Sequence, residues 1–282
     1  MTGLLAALWA RANARAGLVV AGVCAVLFLI SLVYTPHDPL ALSIRDRMAA
    51  PSPIHWMGTD HLGRDVFSRV MAAGLASLRV SLLVVAVALT AGAVIGAVAG
   101  YFGGWTDRLI HMALDAVLAI PGLVLALAIM FVAGAGEASV VLALGVAFTP
   151  AVARIVRAQA MSLRRREFVE ASLLSGRAWP TVIAVHILPN TLSQLTILGA
   201  TVFVQALLAE SALSFLGLGV PPPYPTLGGM LAEARPYIAS APWLSLFPGV
   251  VILTLLVGVN LIGDGLRDHF DPRGSEGGRH DG

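Results

Sequence analysis

The side chains able to do chemistry are few. Asp60 and Arg64, like Asp65 and Arg69, stand four apart, and the two pairs are offset by five. Opposite charges so placed can cap and pair at the entry to a helix, shape an outer vestibule, or receive another protein. Two opposite-sign pairs that neutralise each other locally favour the structural role. Glu210 stands at or near the outer end of a long apolar run, where it can line a pore or hold two helices together. His111 and Asp115 lie early in another run, one helical turn apart, where a headgroup-level position is expected. Burying such groups in hydrocarbon costs several kcal/mol unless they are paired.

The seven histidines, His37, His55, His61, His111, His186, His269 and His280, are scattered and form no H-E-x-x-H or clustered ligand pattern. Cys24 is alone, which excludes an internal disulfide and a cysteine-based metal site. No metal and no cofactor are therefore expected in this chain. Nor is there a G-x-S-x-G nucleophile elbow. All 18 basic residues are arginines. A P-loop needs a lysine to reach nucleotide phosphates. If ATP drives this protein, another chain binds the ATP and its Mg.

The densest polar stretch is Arg164 to Asn190, R-R-R-E-F-V-E-A-S-L-L-S-G-R-A-W-P-T-V-I-A-V-H-I-L-P-N. Helical spacing puts Phe168, Val169, Ser172, Leu173 and Gly176 on one face and Arg166, Glu167, Glu170 and Arg177 on the other. Pairs Arg166–Glu170 and Arg164–Glu167 are in reach of each other. This predicts a short amphipathic helix, too polar to span a bilayer, that either rests on headgroups or offers its apolar stripe to another body. Gly176 permits a sharp turn, and Pro180 and Pro189 punctuate the return toward the membrane.

The elements that must position these residues are membrane spans. Hydrophobic residues make up 57% of the 282 and charged residues only 12%, with a mean hydropathy of +0.85. That composition excludes a soluble domain and a nucleic-acid binder and points to a bilayer. Apolar runs lie at about Gly17–Val33, Val80–Gly100, Ile110–Ala133, Val140–Val156, Leu192–Leu216 and Leu244–Ile262. Each approaches the roughly 20 residues needed to cross about 30 Å of hydrocarbon. The first run, behind Arg11 and Arg15, reads as an uncleaved span rather than a signal peptide. Gly92, Gly96 and Gly100, four apart, allow close helix approach. Arginines crowd between runs four and five, whereas only Arg235 lies between five and six, so positive-inside reasoning puts the former segment and both termini in the cytoplasm. The expected organisation is a cytoplasmic segment 1–16, an all-α transmembrane domain 17–273 and a disordered tail 274–282. Within the domain fall an outer loop 34–79, a cytoplasmic segment 157–190 and an outer loop 217–243.

The polar stretch resembles the E-A-A loop of ABC-importer permeases: Glu170, Ala171, Ser172 in place of the second alanine, Gly176, then Ile187, Leu188 and Pro189. Further stretches resemble the dipeptide/oligopeptide/nickel branch: G-T-D-H-L-G-R-D-V-F-S-R at Gly58–Arg69, A-G-Y-F-G-G-W-T-D at Ala99–Asp107, L-S-F-L-G-L-G-V at Leu213–Val220 and N-L-I-G-D-G-L-R-D-H-F-D-P-R at Asn260–Arg273. They occur in order along nearly the whole chain. The resemblance implies the type I ABC-importer permease fold and the second, C-type permease of a pair. It also implies a homologous permease partner, two ATP-binding subunits docked on the cytoplasmic side, an extracytoplasmic substrate-binding protein and a bacterial inner-membrane location. The Glu170–Gly176 helix would transmit ATPase closure to the pore, with Arg166, Glu167, Phe168, Leu188 and Pro189 counted in the same coupling element. The branch carries dipeptides, oligopeptides, glutathione, and nickel or its chelates, and the sequence does not choose among them. A stand-alone secondary transporter would show inverted repeats and broken helices around a midplane site; no repeat is visible.

Overall fold

The computed structural model describes Trp9 and residues 11–270. The expected tail at 274–282 lies outside the described residues, as does most of segment 1–16. Among the described residues there is no strand beyond an isolated bridge between Thr59 and Asp65. The helices are α1 (Ala12–Ile30), α2 (Val66–Phe102), α3 (Gly104–Leu118), α4 (Gly122–Ala133), α5 (Glu137–Arg164), α6 (Glu167–Leu174), α7 (Trp179–Val182), α8 (Leu188–Phe215), α9 (Leu227–Ala234) and α10 (Trp243–Phe270). A π-turn, Ile183–Ile187, joins α7 to α8 and makes one 37-residue helical body, Trp179–Phe215.

Among the described residues, five helical bodies are long and apolar enough to cross a membrane: α1, α2, α5, α7–α8 and α10. The sixth expected span is not straight. The run at Ile110–Ala133 is divided into α3 and α4, which meet at 87°. Pro121 is the cause. Its ring disfavours helical geometry at Ile120 and leaves no N–H for the ladder, so α4 starts afresh at Gly122. With 12 residues, α4 is about 18 Å long at 1.5 Å per residue, short of a full crossing.

The second span is longer than its apolar run. The segment expected to remain in the outer loop up to Arg79 is helical from Val66. Asp65 starts it by accepting the Ser68 amide at 2.8 Å, a side-chain N-cap. Arg69 lowers local hydropathy without stopping the helix, because its guanidinium is buried against carboxylates.

α2 is the central mast and contributes to three apolar clusters. Val66 and Val70 meet Phe28, Phe203, Leu207 and Leu244 at one end. Val80 and Val84 meet Met130, Leu144 and Leu213 in the middle. Ala93, Ala97 and Tyr101 meet Val152, Val156, Val182 and Ile187 at the other end. Between α2 and α5 the glycine stripe is realised. A β-carbon at Gly92 would lie 2.6 Å from Val152 Cβ, one at Gly100 would lie 2.6 Å from the Arg157 carbonyl oxygen, and one at Gly96 would strike the Ala153 carbonyl. In a bilayer, where apolar side chains gain little by leaving lipid, such backbone-to-backbone packing carries the association. α1 lies along α10, with Gly17 against Gly258, Leu261 and Ile262. Arg11 reaches Asp268 at 3.5 Å, so the start of α1 and the end of α10 share one side.

Candidate coupling surface and polar groove

At the α5–α7 end, the polar stretch folds as predicted into a short helix, α6, set between two turns. Glu167 and Glu170 stand in its first turn, where carboxylates complement the helix dipole. Gly176 has φ +76°. The Gly176 amide donates to the Leu173 carbonyl at 3.0 Å and the Arg177 amide to the Ser172 carbonyl at 3.4 Å. This is a Schellman closure with glycine at its left-handed position. Apart from its two chain neighbours, nothing lies within 4 Å of where a Gly176 β-carbon would stand.

The expected apolar stripe divides. Val169 and Ser172 are buried against this chain, Val169 in the cluster formed with Val182, Ile183 and Ile187. Phe168 lies beside His186, ring centroids 5.9 Å apart, and stays partly exposed. Leu173 is exposed, and Leu174, outside the predicted stripe, is 90% exposed. The reason is that the return segment Trp179–Ile187 comes back beneath α6 and takes its inner edge. Neither expected ion pair, Arg166–Glu170 or Arg164–Glu167, is among those formed; Arg164 instead donates to the Phe102 carbonyl at 3.0 Å. Arg166, Glu167, Glu170 and Ala171 are exposed. α6 thus has one side fixed to the spans and one charged, leucine-bearing side facing away.

Leu188 and Pro189 have a local mechanical role. Pro189 lacks the N–H that the Val185 carbonyl would receive, and its ring crowds that carbonyl. The ladder widens: the Leu188 amide bonds the Ile183 carbonyl, five residues back. Asn190 Nδ2 donates to the His186 carbonyl at 2.7 Å. A π-turn therefore stands where the polar segment becomes a span, a common signature of functional joints.

The groove that sequence reasoning missed lies just beyond that joint. Asn190, Ser193, Gln194, Ile197, Leu198 and Thr201 share one face of α8, and with Gln159 and Arg267 they line an open cavity of about 670 Å³. Its sequence signal is a polar i, i+3, i+4 pattern hidden by the high average hydropathy of the run.

At the opposite end, the four charges combine differently from two local pairs. Arg64 Nε donates to Asp60 at 2.6 Å, and Arg69 Nε lies 3.5 Å from the same carboxylate. Glu233 of α9, unanticipated, receives Arg64 at 2.8 Å and Arg69 at 2.9 Å. Asp65 takes no arginine; it caps α2 and accepts His55 Nδ1 at 2.9 Å. Asp60, Arg64, Asp65 and Arg69 are all buried. They pin α9 to the start of α2 rather than presenting a charged surface. Glu210 is buried as well, accepting Ser214 Oγ at 2.8 Å. Asp115 pairs with Arg154, and Asp107 with Arg157, holding α3 against α5.

Histidines that look scattered in sequence are brought together. His37, His55 and Asp65 each place a ligand-capable atom within 4.8 Å of the others, and so do Asp60, His61 and Glu233.

The chain matches the family model described as binding-protein-dependent transport system inner membrane component over residues 92–275. It is 41% identical to the dipeptide transport system permease protein DppC of Alkalihalophilus pseudofirmus, over 81% of this chain and 75% of that one. It is 37% identical to the glutathione transport system permease protein GsiD of Pectobacterium atrosepticum, over 88% and 84% of the two chains. It is also 37% identical to the nickel transport system permease protein NikC of Escherichia coli, over 93% and 95%.

Proposed function

As the chain belongs to the family of binding-protein-dependent transport system inner membrane components, and is a multi-pass permease of an ABC importer, we propose how it works within such a system. It forms half of a pore whose other half is a homologous permease. It binds no nucleotide itself. Two ATP-binding subunits dock on the exposed side of α6, and an extracytoplasmic binding protein delivers the solute. The cargo we favour is a dipeptide, an oligopeptide or a related small solute. Nickel or a nickel chelate is the second reading, supported by the near-complete coverage of both chains in the match to the nickel permease.

The observation that carries this reading is the rigid attachment of α6. Its inner edge is buried in the cluster that contains the π-turn, while Leu174 and the acidic first turn face outward. A push on the outer side is therefore passed to Ile183–Ile187 and on to α8. The polar face of α8 is what that motion would move. Polar side chains at membrane depth are tolerated where they face water or a polar partner, so the stripe from Asn190 to Thr201 supports an inner translocation pathway. Alternating access follows if ATP-driven closure favours one of two arrangements of this joint.

The test is transport by the assembly reconstituted from all five chains. Asn190, Ser193 and Gln194 replaced together by leucine should abolish uptake while the assembly stays intact. Uptake at the wild-type rate would remove this face from the pathway.

A further inference from the structure

The cluster His37, His55 and Asp65 has no place in the coupling mechanism. It gathers a residue just past α1, one in the middle of the loop, and the N-cap of α2. We propose that these three residues form a binding site for a transition-metal dication of the Zn²⁺ type, on the face opposite α6.

Donor set and geometry support this. Two imidazoles and one carboxylate suit borderline metals such as Zn²⁺, with open positions left for water. His55 Nδ1 and Asp65 Oδ1 stand 2.9 Å apart. Two donors bonded at about 2.0–2.1 Å to one metal are separated by roughly 2.9–3.4 Å. A metal can thus replace the proton these atoms share, with little movement. The rings of His37 and His55 are 4.7 Å apart, and all three donors lie within 4.8 Å of one another.

The surroundings already orient the ligands. His37 Nε2 lies 3.1 Å from the Ile54 carbonyl. A carbonyl can only accept, so Nε2 carries the proton and Nδ1 keeps its lone pair, the arrangement that second-shell carbonyls impose on metal-binding histidines. Asp65 Oδ2 is held by the Ser68 amide at 2.8 Å and by Ser68 Oγ at 2.7 Å. The His37 amide donates to that same Ser68 Oγ at 3.0 Å.

Charge separates this cluster from its neighbour. Asp60 and Glu233 beside His61 are already neutralised by Arg64 and Arg69, whose guanidiniums would repel a cation. Asp65 has no such partner among the described residues, and its side chain is 2% exposed while that of His55 is 18% exposed. The carboxylate is therefore shielded and the imidazole edge remains reachable. The inference is independent of the cargo: the ion is a staple that ties three points of the outer segment together, not a transported species.

The experiment uses the full-length chain in its assembled complex, in lipid nanodiscs and without a histidine tag, titrated with Zn²⁺ alone. Wild type should bind one Zn²⁺ per chain more than the H37Q/H55Q double variant. H55Q alone should weaken that site by at least about 10-fold, the loss seen even when outer-shell partners of a metal are removed. Asp65→Asn, which keeps an N-cap oxygen, should weaken it comparably and covers the case in which the histidine variants assemble poorly. His61→Gln should bind as wild type does. Equal stoichiometry and affinity in wild type and H37Q/H55Q would overturn the proposal, as would loss of the site in His61→Gln alone. Mg²⁺ and Ca²⁺, which prefer all-oxygen sites, should not displace the Zn²⁺; displacement would also overturn it.

Discussion

Gly176 offers a quantitative test of the coupling role proposed for α6. Its φ of +76° lies where an L-residue costs roughly 1–2 kcal/mol, because the β-carbon crowds the next carbonyl. Asparagine tolerates this region better than alanine, and valine, being β-branched, tolerates it least. Apart from the two residues flanking Gly176, no atom of this chain stands within 4 Å of a β-carbon there. The intrinsic cost therefore depends on backbone conformation and not on side-chain volume. In the isolated chain, Gly176→Asn should be nearly silent, Gly176→Ala should loosen the end of α6 by about 1–2 kcal/mol, and Gly176→Val by somewhat more. In the assembled transporter a second cost appears if the surface beyond Gly176 is covered by an ATP-binding subunit. The assay is the ratio of solute imported to ATP hydrolysed in proteoliposomes, read beside the thermal stability of the chain alone. Gly176→Asn should keep the ratio near wild type, and Gly176→Val should lower it several-fold with hydrolysis persisting. A ratio unchanged in Gly176→Val would refute the assignment of this turn to the coupling joint.

Other expected outcomes follow from the same contacts. Gly96→Leu drives a side chain into the Ala153 backbone and should cost about 1–3 kcal/mol or more by overpacking, seen as a lower detergent-unfolding midpoint. Glu233→Ala leaves Arg64 and Arg69 with one carboxylate between them. It should cost about 1–3 kcal/mol and speed proteolysis within the loop before α2, whereas Glu233→Asp should recover part of the loss. Glu210→Gln, which retains a partner for Ser214, should unfold close to wild type, and Glu210→Leu should unfold earlier. Pro189→Ala restores the missing N–H and should allow the π-turn to relax toward an α-helix, changing transport more than stability.

The sequence made the spans legible because membrane helices are written in long apolar runs, and it made α6 legible because its amphipathic period and Gly176 are local features. The break at Pro121 was present in the letters, yet a hydropathy average cannot tell a proline that kinks a helix from one that ends it. Pro150 sits inside an unbroken α5, so the residue type alone does not decide. The start of α2 at Val66 was hidden because Arg69 and Arg79 depress hydropathy, and only the distant Glu233 explains how Arg69 can be buried. The same distance hid the true partition of Asp60, Arg64, Asp65 and Arg69. Local spacing suggested two pairs, and tertiary contacts made one buried cluster and one histidine–carboxylate pair. Phe168 and Leu174 show the limit of helical wheels: the wheel gives the faces, but which face is free depends on where the return segment Trp179–Ile187 runs.

The central claim is that α6 is the surface through which separate ATP-binding subunits drive this permease. Leu174, 90% exposed on that surface, is the position to probe. A photo-crosslinking residue placed there in the assembled transporter should form an adduct with an ATP-binding subunit, at a yield that changes between the nucleotide-free and ATP-bound complexes. Adducts with lipid alone, in a preparation where the ATP-binding subunits are present and active, would contradict it.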